Sequence, residues 1–146
     1  MNLTEAIQMA TDLAARLETE ARQAEGDALA LLSAIRTSLD VRVLEEEGIT
    51  AECMETFGYG KAFMYIVNRA LDERPIARDT VEKKFGVALT EKVDGVEAYA
   101  DSVRQAYYRR VGADVFRMYS ERLTRGDDIS DIIREALSRL NGVVGL

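Results

Sequence analysis

The most constraining feature of this sequence is a stripe of small and apolar residues that keeps a helical period from Leu3 to Ile35. Its members, called here the N-terminal stripe, are Leu3, Ile7, Ala10, Ala14, Leu17, Ala21, Ala24, Ala28, Leu31 and Ile35. The steps alternate between four and three residues, which is the spacing of helices that pack side by side. Asn2, followed three positions later by Glu5, is a helix N-cap signature. The sequence therefore predicts helix from its first residues.

Gly26 lies within this stripe and allows two interpretations. In the first, Gly26 ends one helix and Asp27 caps a second, which gives a helical hairpin. In the second, residues 3–47 form one helix of about 66 Å, at about 1.5 Å per residue, and Gly26 costs it about 1 kcal/mol. The stretch 28–35 is apolar on nearly every face, so we expect it at the centre of the core.

Two helices are predicted in the middle of the chain, after a short element that begins at Thr50. The first runs over residues 61–73 and stops before Pro75, because the proline ring disfavours helical geometry in the preceding residue. Its inward side chains are expected to be Phe63, Ile66, Val67, Ala70 and Leu71. The second is opened by a capping box of Asp79 and Glu82 and ends at Gly86.

Two more helices are predicted in the last third. Thr90 is expected to cap the longest helix, which runs to about Arg125, and Gly112 marks a close approach or a bend within it. Asp127 or Asp128 caps the last helix. The inward residues of that helix are expected to be Ile129, Ile132, Ile133, Ala136, Leu137 and Leu140.

These patterns predict an all-α fold. We expect a helical bundle of about five to seven helices, with an N-terminal long helix or helical hairpin and a long C-terminal helix. A length of 146 residues fits one domain over 1–146, in which 1–47 form an arm or hairpin and 48–146 the body of the bundle. No membrane span or signal peptide is predicted, and a single cysteine, Cys53, is compatible with a reducing cytoplasm.

The absence of histidine excludes much of enzyme chemistry. It removes the commonest general base, the commonest zinc ligand and every nucleophilic triad that uses imidazole. With only one cysteine, zinc fingers and iron–sulfur clusters also lack ligands. We therefore expect a protein that is not an enzyme and that uses no cofactor and no metal.

One enzyme class stays open, because carboxylates alone can hold Mg²⁺ between facing helices. Glu52 and Glu55 lie three residues apart, as do Glu91 and Asp94. This arrangement partly resembles the all-helical nucleotide pyrophosphohydrolases, which implies a Mg²⁺-dependent hydrolase as the third candidate function. In that family, an adjacent pair of glutamates is followed one helical turn later by a third glutamate. This sequence departs from the pattern, because the glutamates at 46–47 are followed by glycine.

The leading hypothesis comes from the uneven distribution of charge. Residues 1–60 contain four arginines and twelve acidic residues, a net charge of −8 within a chain of −7. We expect a non-catalytic protein-binding module, such as an adaptor, an inhibitor or a small regulatory subunit. Its partner is another protein or a second copy of the chain, and its predicted contact residues are Glu18, Glu20, Glu25, Asp27, Glu45, Glu46 and Glu47. In the alternative, these acids pack against the basic C-terminal helix of the same chain.

The rival hypothesis is a DNA-binding regulator. Residues 80–93 are similar to a helix-turn-helix segment, and the helix over 103–125 is rich in Arg and Tyr, which contact phosphates and stack on bases. The predicted contact residues are Lys83, Lys84, Lys92, Arg104, Arg109 and Arg110. A net charge of −7 opposes non-specific binding to nucleic acid, so protein binding is preferred.

Overall fold

A computed structural model describes residues 2–38, 41–74, 76–90 and 93–144, and within these ranges it contains helices and no strand. The helices are α1 (Leu3–Arg22), α2 (Glu25–Ser38), α3 (Val41–Glu46), α4 (Ala51–Glu55), α5 (Gly60–Leu71), α6 (Arg78–Phe85), α7 (Glu97–Arg125) and α8 (Ile129–Val144). The predicted all-α bundle is confirmed. The described ranges hold one helix more than the expected upper number. The short element predicted from Thr50 is present as α4, which the Thr50 hydroxyl caps, whereas α3 is a short helix that periodicity does not detect.

The N-terminal stripe does not form one continuous helix. α1 ends at Arg22 and α2 begins at Glu25, so the break precedes Gly26, which lies in the first turn of α2. Gly26 does not have the positive φ of a helix-ending glycine, and a Cβ added to it would meet no atom within 4 Å. Both interpretations of Gly26 are therefore wrong in detail, since it neither ends α1 nor lies within a helix over 3–47.

Several predicted helix ends are present. The Asn2 Oδ1 accepts a hydrogen bond of 2.9 Å from the Glu5 backbone N–H. The Asp128 Oδ1 accepts one of 2.7 Å from the Ser130 N–H. α6 ends at Gly86, whose φ of 66° is the left-handed conformation that glycine adopts most readily. These caps confirm the predicted starts of α1 and α8 and the predicted end of α6.

Two other predicted starts are wrong. α6 lacks the predicted capping box at Asp79, because the Glu82 carboxylate is paired with the Arg78 guanidinium at 3.0 Å. α7 begins later than a cap at Thr90 predicts, because the Thr90 N–H donates to Ser33 Oγ at 2.9 Å and holds this segment outside the helix. The local sequence predicted both caps, but neither forms because Glu82 and Thr90 make other contacts.

The contacts of the chain fall into two compact units, which are described separately. The terminal unit comprises Met1–Ala21 and Tyr108–Leu146, and the central unit comprises Arg22–Tyr107. α1 and α7 each contribute to both units. The expectation of a single domain over 1–146 stays a prediction.

The core of the central unit is built around α2 and α5. The stretch 28–35 of α2 contains several fully buried side chains, as predicted, and α5 packs against α2, α3, α4 and α6. Phe63, Ile66 and Ala70 are buried on α5, whereas Leu71 is 61% exposed. At 100° per residue Leu71 lies at the outer edge of that face, so its predicted inward placement is wrong.

The terminal unit is packed largely through small residues. Ala10, Ala14 and Ala21 of α1 and Ala113 of α7 are buried. A Cβ added to Gly112 would lie 3.3 Å from Leu17 Cδ1, so the predicted close approach is confirmed. A second cluster contains Met118, Leu123 and Ile132, with Ile7, Tyr119 and Ala136 packed against it. Small residues allow the backbones to approach, but they leave little large apolar surface in this core.

Replacing Gly112 tests the close approach. We expect Gly112→Val to lower the free energy of unfolding by about 1–3 kcal/mol, because the larger side chain overpacks the contact with Leu17. Gly26→Val is the matched control, since it makes the same change where a Cβ meets no neighbour. Urea unfolding measures both variants. Equal effects of the two substitutions would contradict the close packing at Gly112.

Candidate interaction surfaces

The predicted acidic residues of the terminal unit are paired with arginines of α7. The Glu18 carboxylate contacts the Arg117 guanidinium, which also lies 3.2 Å from Asp114. The Glu20 carboxylate lies 3.0 Å from Arg16 Nε and 3.7 Å from Arg109 Nε. These are the contacts of the intramolecular alternative, in which the acidic flank packs on the basic helix of the same chain.

Acidic residues of the central unit are also engaged within that unit. Glu47 accepts hydrogen bonds from Arg104 through its backbone carbonyl and its side chain, with a distance of 3.0 Å from Arg104 Nη1 to Glu47 Oε2. These hydrogen bonds raise the pKa of the Arg104 guanidinium. Asp27 accepts from the Ser102 hydroxyl at 2.6 Å. The carboxylates of Asp27 and Glu47 thus already make hydrogen bonds within the folded chain.

Glu25 accepts a hydrogen bond of 2.5 Å from the Tyr59 hydroxyl. Burial of Tyr59, its hydrogen bond to Glu25 and the charge of that carboxylate raise the pKa of the phenol to about 12. The shift has this direction because both burial and a neighbouring anion disfavour the phenolate.

Glu45 and Glu46 are exposed on α3. Glu45 lies at the rim of a concavity of about 420 Å³, which is lined by Arg42, Leu44, Glu45, Ile49, Phe63, Val67 and Leu71. Of the seven predicted acidic contact residues, five thus make contacts within their own unit and two lie exposed on one short helix. The role of these seven acids in binding a partner stays a prediction.

The predicted nucleic-acid residues in the described ranges lie on α6 and α7. Lys83 and Lys84 are exposed on α6, with Lys84 Nζ 4.5 Å from the centre of the Tyr65 ring. Arg104 and Arg109 are paired with carboxylates, and Arg110 is half-buried. Lys92 lies outside the described residues. The carboxylates neutralise the positive charge of Arg104 and Arg109, which would be needed to bind phosphate groups.

The predicted helix-turn-helix lacks its second helix in the described residues. After Gly86, residues 87–90 and 93–95 are not helical. Val87 and Leu89 are buried, and the Leu89 carbonyl accepts a hydrogen bond of 3.0 Å from Arg78 Nη2. This segment packs against its own unit because its apolar side chains are drawn into the core, so it does not present a recognition helix.

The carboxylates considered for Mg²⁺ make other contacts. Glu52 accepts a hydrogen bond of 3.0 Å from the Tyr107 hydroxyl, and Glu55 accepts one of 2.8 Å from the Gly60 N–H at the start of α5. Asp94 is exposed outside any helix, and Glu91 lies outside the described residues. No cluster of three potential metal ligands is present among the residues that the structure describes.

A concavity of about 520 Å³ lies in the terminal unit between α7 and α8. Its arginines are matched by acids, since Arg122 pairs with Asp127 and Glu135, and Arg139 lies 2.8 Å from Glu135. The hydrogen bond from Arg122 lowers the pKa of Asp127, and the one from Arg139 lowers that of Glu135. The ion pairs occupy these guanidinium groups, which would otherwise suit a bound anion.

An apolar face on α8 is the most distinctive surface in the terminal unit. It consists of Ile129, Ile133, Leu137 and Leu140, which are 58%, 50%, 54% and 38% exposed, and it is called here the α8 apolar face. The steps of four, four and three residues place these side chains along one side of the helix. The adjacent side, with Ile132 and Ala136, is packed into the second cluster. The apolar side of α8 is therefore wider than the part of it that the described residues bury.

The predicted inward placement of these four side chains is wrong. Periodicity shows that a helix has an apolar side, but not how much of that side its neighbours reach. A signal was present, because apolar residues at 129, 132, 133, 136, 137 and 140 form an arc wider than the face that Ile132 and Ala136 bury.

Comparison of the chain with protein-family models, with curated proteins and with solved structures found no match. Among the residues that the structure describes, no helix combines the length and the apolar character needed to cross a membrane.

Removing the Arg104 guanidinium tests whether its hydrogen bonds to Glu47 stabilise the fold. We expect Arg104→Met to lower the free energy of unfolding by about 1–3 kcal/mol, because the Glu47 carbonyl and carboxylate lose a charged donor. Arg16→Met is the control, since its exposed ion pair with Glu20 contributes about 0–1 kcal/mol. Chemical unfolding of both variants measures the difference. A neutral Arg104 variant would contradict the structural role.

The Tyr59 phenol gives the stability a pH dependence. Its contribution is fully present below pH 10.0, the ordinary pKa, and is lost as the pH rises through about 12, because the unfolded chain releases the proton first. We therefore expect the free energy of unfolding to fall over this window, and Tyr59→Phe to remove that part of the fall. Ultraviolet titration of tyrosinate should also lose its highest-pH step in this variant. Tyr108→Phe, at an exposed position, should keep both signals.

Proposed function

We propose that this chain is a non-catalytic helical protein-binding module that packs an apolar helix of a second polypeptide onto the α8 apolar face. The observation that carries the proposal is the exposure of Ile129, Ile133 and Leu137, each at least half accessible to solvent, together with Leu140 on the same side of one helix. An adaptor, an inhibitor or a small regulatory subunit acts through such a surface. With a single buried cysteine, the chain suits the reducing cytoplasm, where we propose that it acts.

The size of the face supports binding. The four side chains expose roughly 400 Å² together, which is within the range of the largest apolar patch on a typical monomer, a patch that is often functional. From Ile129 to Leu140 the face extends about 17 Å, at about 1.5 Å per residue. That length matches three turns of a partner helix, which can place its own side chains between those of α8.

The acidic residues are not needed for this binding. Glu18, Glu20 and Glu47 are already paired with arginines of the same chain, so a basic partner would have to displace those ion pairs. The proposal therefore keeps the predicted class of function and moves its surface from the N-terminal acids to α8.

Amphipathic helices also bind membrane surfaces, but the charges of α8 do not favour such binding. Helices that lie on membranes are usually rich in Lys and Arg on their polar side. α8 carries Arg134 and Arg139 together with Asp131 and Glu135, which leaves no excess of positive charge for anionic lipid. A polypeptide is therefore the better partner.

Site-specific photo-crosslinking tests the proposal. A photoreactive residue in place of Ser130, which is exposed in the first turn of α8 beside Ile133, should form an adduct with one discrete polypeptide in an extract of the source organism. Ile133→Glu with Leu137→Glu should abolish that adduct, because it places charge at the centre of the face. Met64→Glu on α5 is the control, since it changes a residue of similar exposure elsewhere, and it should leave the adduct unchanged.

Two outcomes would overturn the proposal. One is the absence of a discrete adduct from position 130 at any protein concentration. The other is an adduct that survives charge at positions 133 and 137, because the contact would then lie elsewhere. If the chain co-sediments with anionic vesicles and the same double variant does not, the partner of the α8 apolar face is a membrane surface and not a polypeptide.

A further inference from the structure

We infer that the polypeptide that covers the α8 apolar face is a second copy of this chain, bound through an antiparallel pair of α8 helices about a twofold axis. The inference rests on the proposed function, because it names the occupant of the same surface. It is carried by the arrangement of the four apolar side chains, by the charges of α8 and by the area of the face.

The face is self-complementary when two copies run in opposite directions. A twofold axis that passes between Ile133 and Leu137 brings Ile133 of each copy opposite Leu137 of the other. The same axis brings Ile129 close to Leu140 of the second copy. Each exposed apolar side chain then meets an apolar side chain, which is the condition for an isologous interface. A twofold contact of this kind closes on itself, so it produces a dimer and not a filament.

The charges of α8 permit contact between like copies. The chain as a whole has a net charge of −7, so two copies carry charge of the same sign. α8 is neutral overall, because Asp131 and Glu135 balance Arg134 and Arg139, and each acid is paired with one arginine of the same helix, at 3.3 Å and 2.8 Å. The neutral residues Ser130 and Asn141 are on the helix surface next to the face. A second copy therefore meets a patch without net charge.

The area of the face sets the expected strength. Burial of roughly 400 Å² of apolar side chain per copy is about half of the 800 Å² per partner in a standard interface. Such an area fits a weak, reversible dimer and not a permanent one. A reversible dimer of this strength leaves the face accessible in part of the population.

Sedimentation equilibrium of the full chain measures the association. From about 1 μM to several hundred μM, we expect the weight-average mass to rise from that of the monomer towards that of the dimer. Ile133→Glu with Leu137→Glu should remain monomeric over the whole range. Met64→Glu should associate as the unchanged chain does. Circular dichroism of each variant checks folding, which Glu at these exposed helical positions should preserve.

Disulfide trapping tests the antiparallel direction. Ser130 and Asn141 lie on the same flank of the face, so the twofold axis brings Ser130 of one copy close to Asn141 of the other. Chains with Ser130→Cys are mixed with chains with Asn141→Cys and oxidised. Antiparallel pairing predicts mixed dimers that join positions 130 and 141, whereas parallel pairing joins like positions. Cys53 is buried and remains unchanged in both variants.

The possible results separate this inference from the proposed function. A monomer at every concentration, together with a discrete adduct of a different protein at position 130, would overturn the second copy and keep the binding face. A dimer that survives charge at positions 133 and 137, or a like-to-like disulfide, would also overturn the inference. A monomer without any adduct at position 130 would overturn both proposals.

Discussion

An apolar helix face is stable in water only where other groups cover it, and this constraint divides the helices of the chain. α2 is covered on nearly every side, so Leu31, Leu32 and Ile35 are almost inaccessible to solvent. α8 has a comparably wide apolar arc, but the terminal unit buries only the side that carries Ile132 and Ala136. The small residues that allow α1 and α7 to approach also provide little apolar surface for α8. The uncovered half of α8 is therefore a consequence of how this unit is packed.

The fate of the acidic residues shows why charge distribution alone does not locate a binding surface. Residues 1–60 hold twelve of the 26 acidic residues but only four of the 19 basic residues, which suggested an acidic surface for a partner. In the folded chain, Arg117, Arg109 and Arg104 of α7 contact Glu18, Glu20 and Glu47. Arg104 and Arg109, which suggested nucleic-acid binding, thus pair with Glu47 and Glu20, which suggested a basic partner. The proposed function therefore rests on the α8 apolar face and not on these charges.

Features that depend on neighbouring residues in sequence could be predicted, whereas features that depend on tertiary contacts could not. The helical class follows from spacing, and the caps at Asn2 and Asp128 from local hydrogen bonding. The late start of α7 depends on a hydrogen bond from Thr90 to Ser33, which are far apart in sequence. Whether an apolar residue such as Leu137 is covered depends on how many helices surround it. The candidate site was missed for that reason.

The neutral character of α8 matters because of the charge on the rest of the chain. Repulsion between two molecules of charge −7 acts over about 8 Å at physiological ionic strength, so it is felt mainly where charged surfaces come close. A contact confined to one helix keeps the approaching area small, and the ion pairs of Asp131 with Arg134 and of Glu135 with Arg139 leave that helix without net charge. Repulsion elsewhere then opposes any broader or less specific association. In the proposed dimer, the acidity of the chain therefore disfavours pairing through the N-terminal helices, whereas α8 has no net charge to oppose the contact.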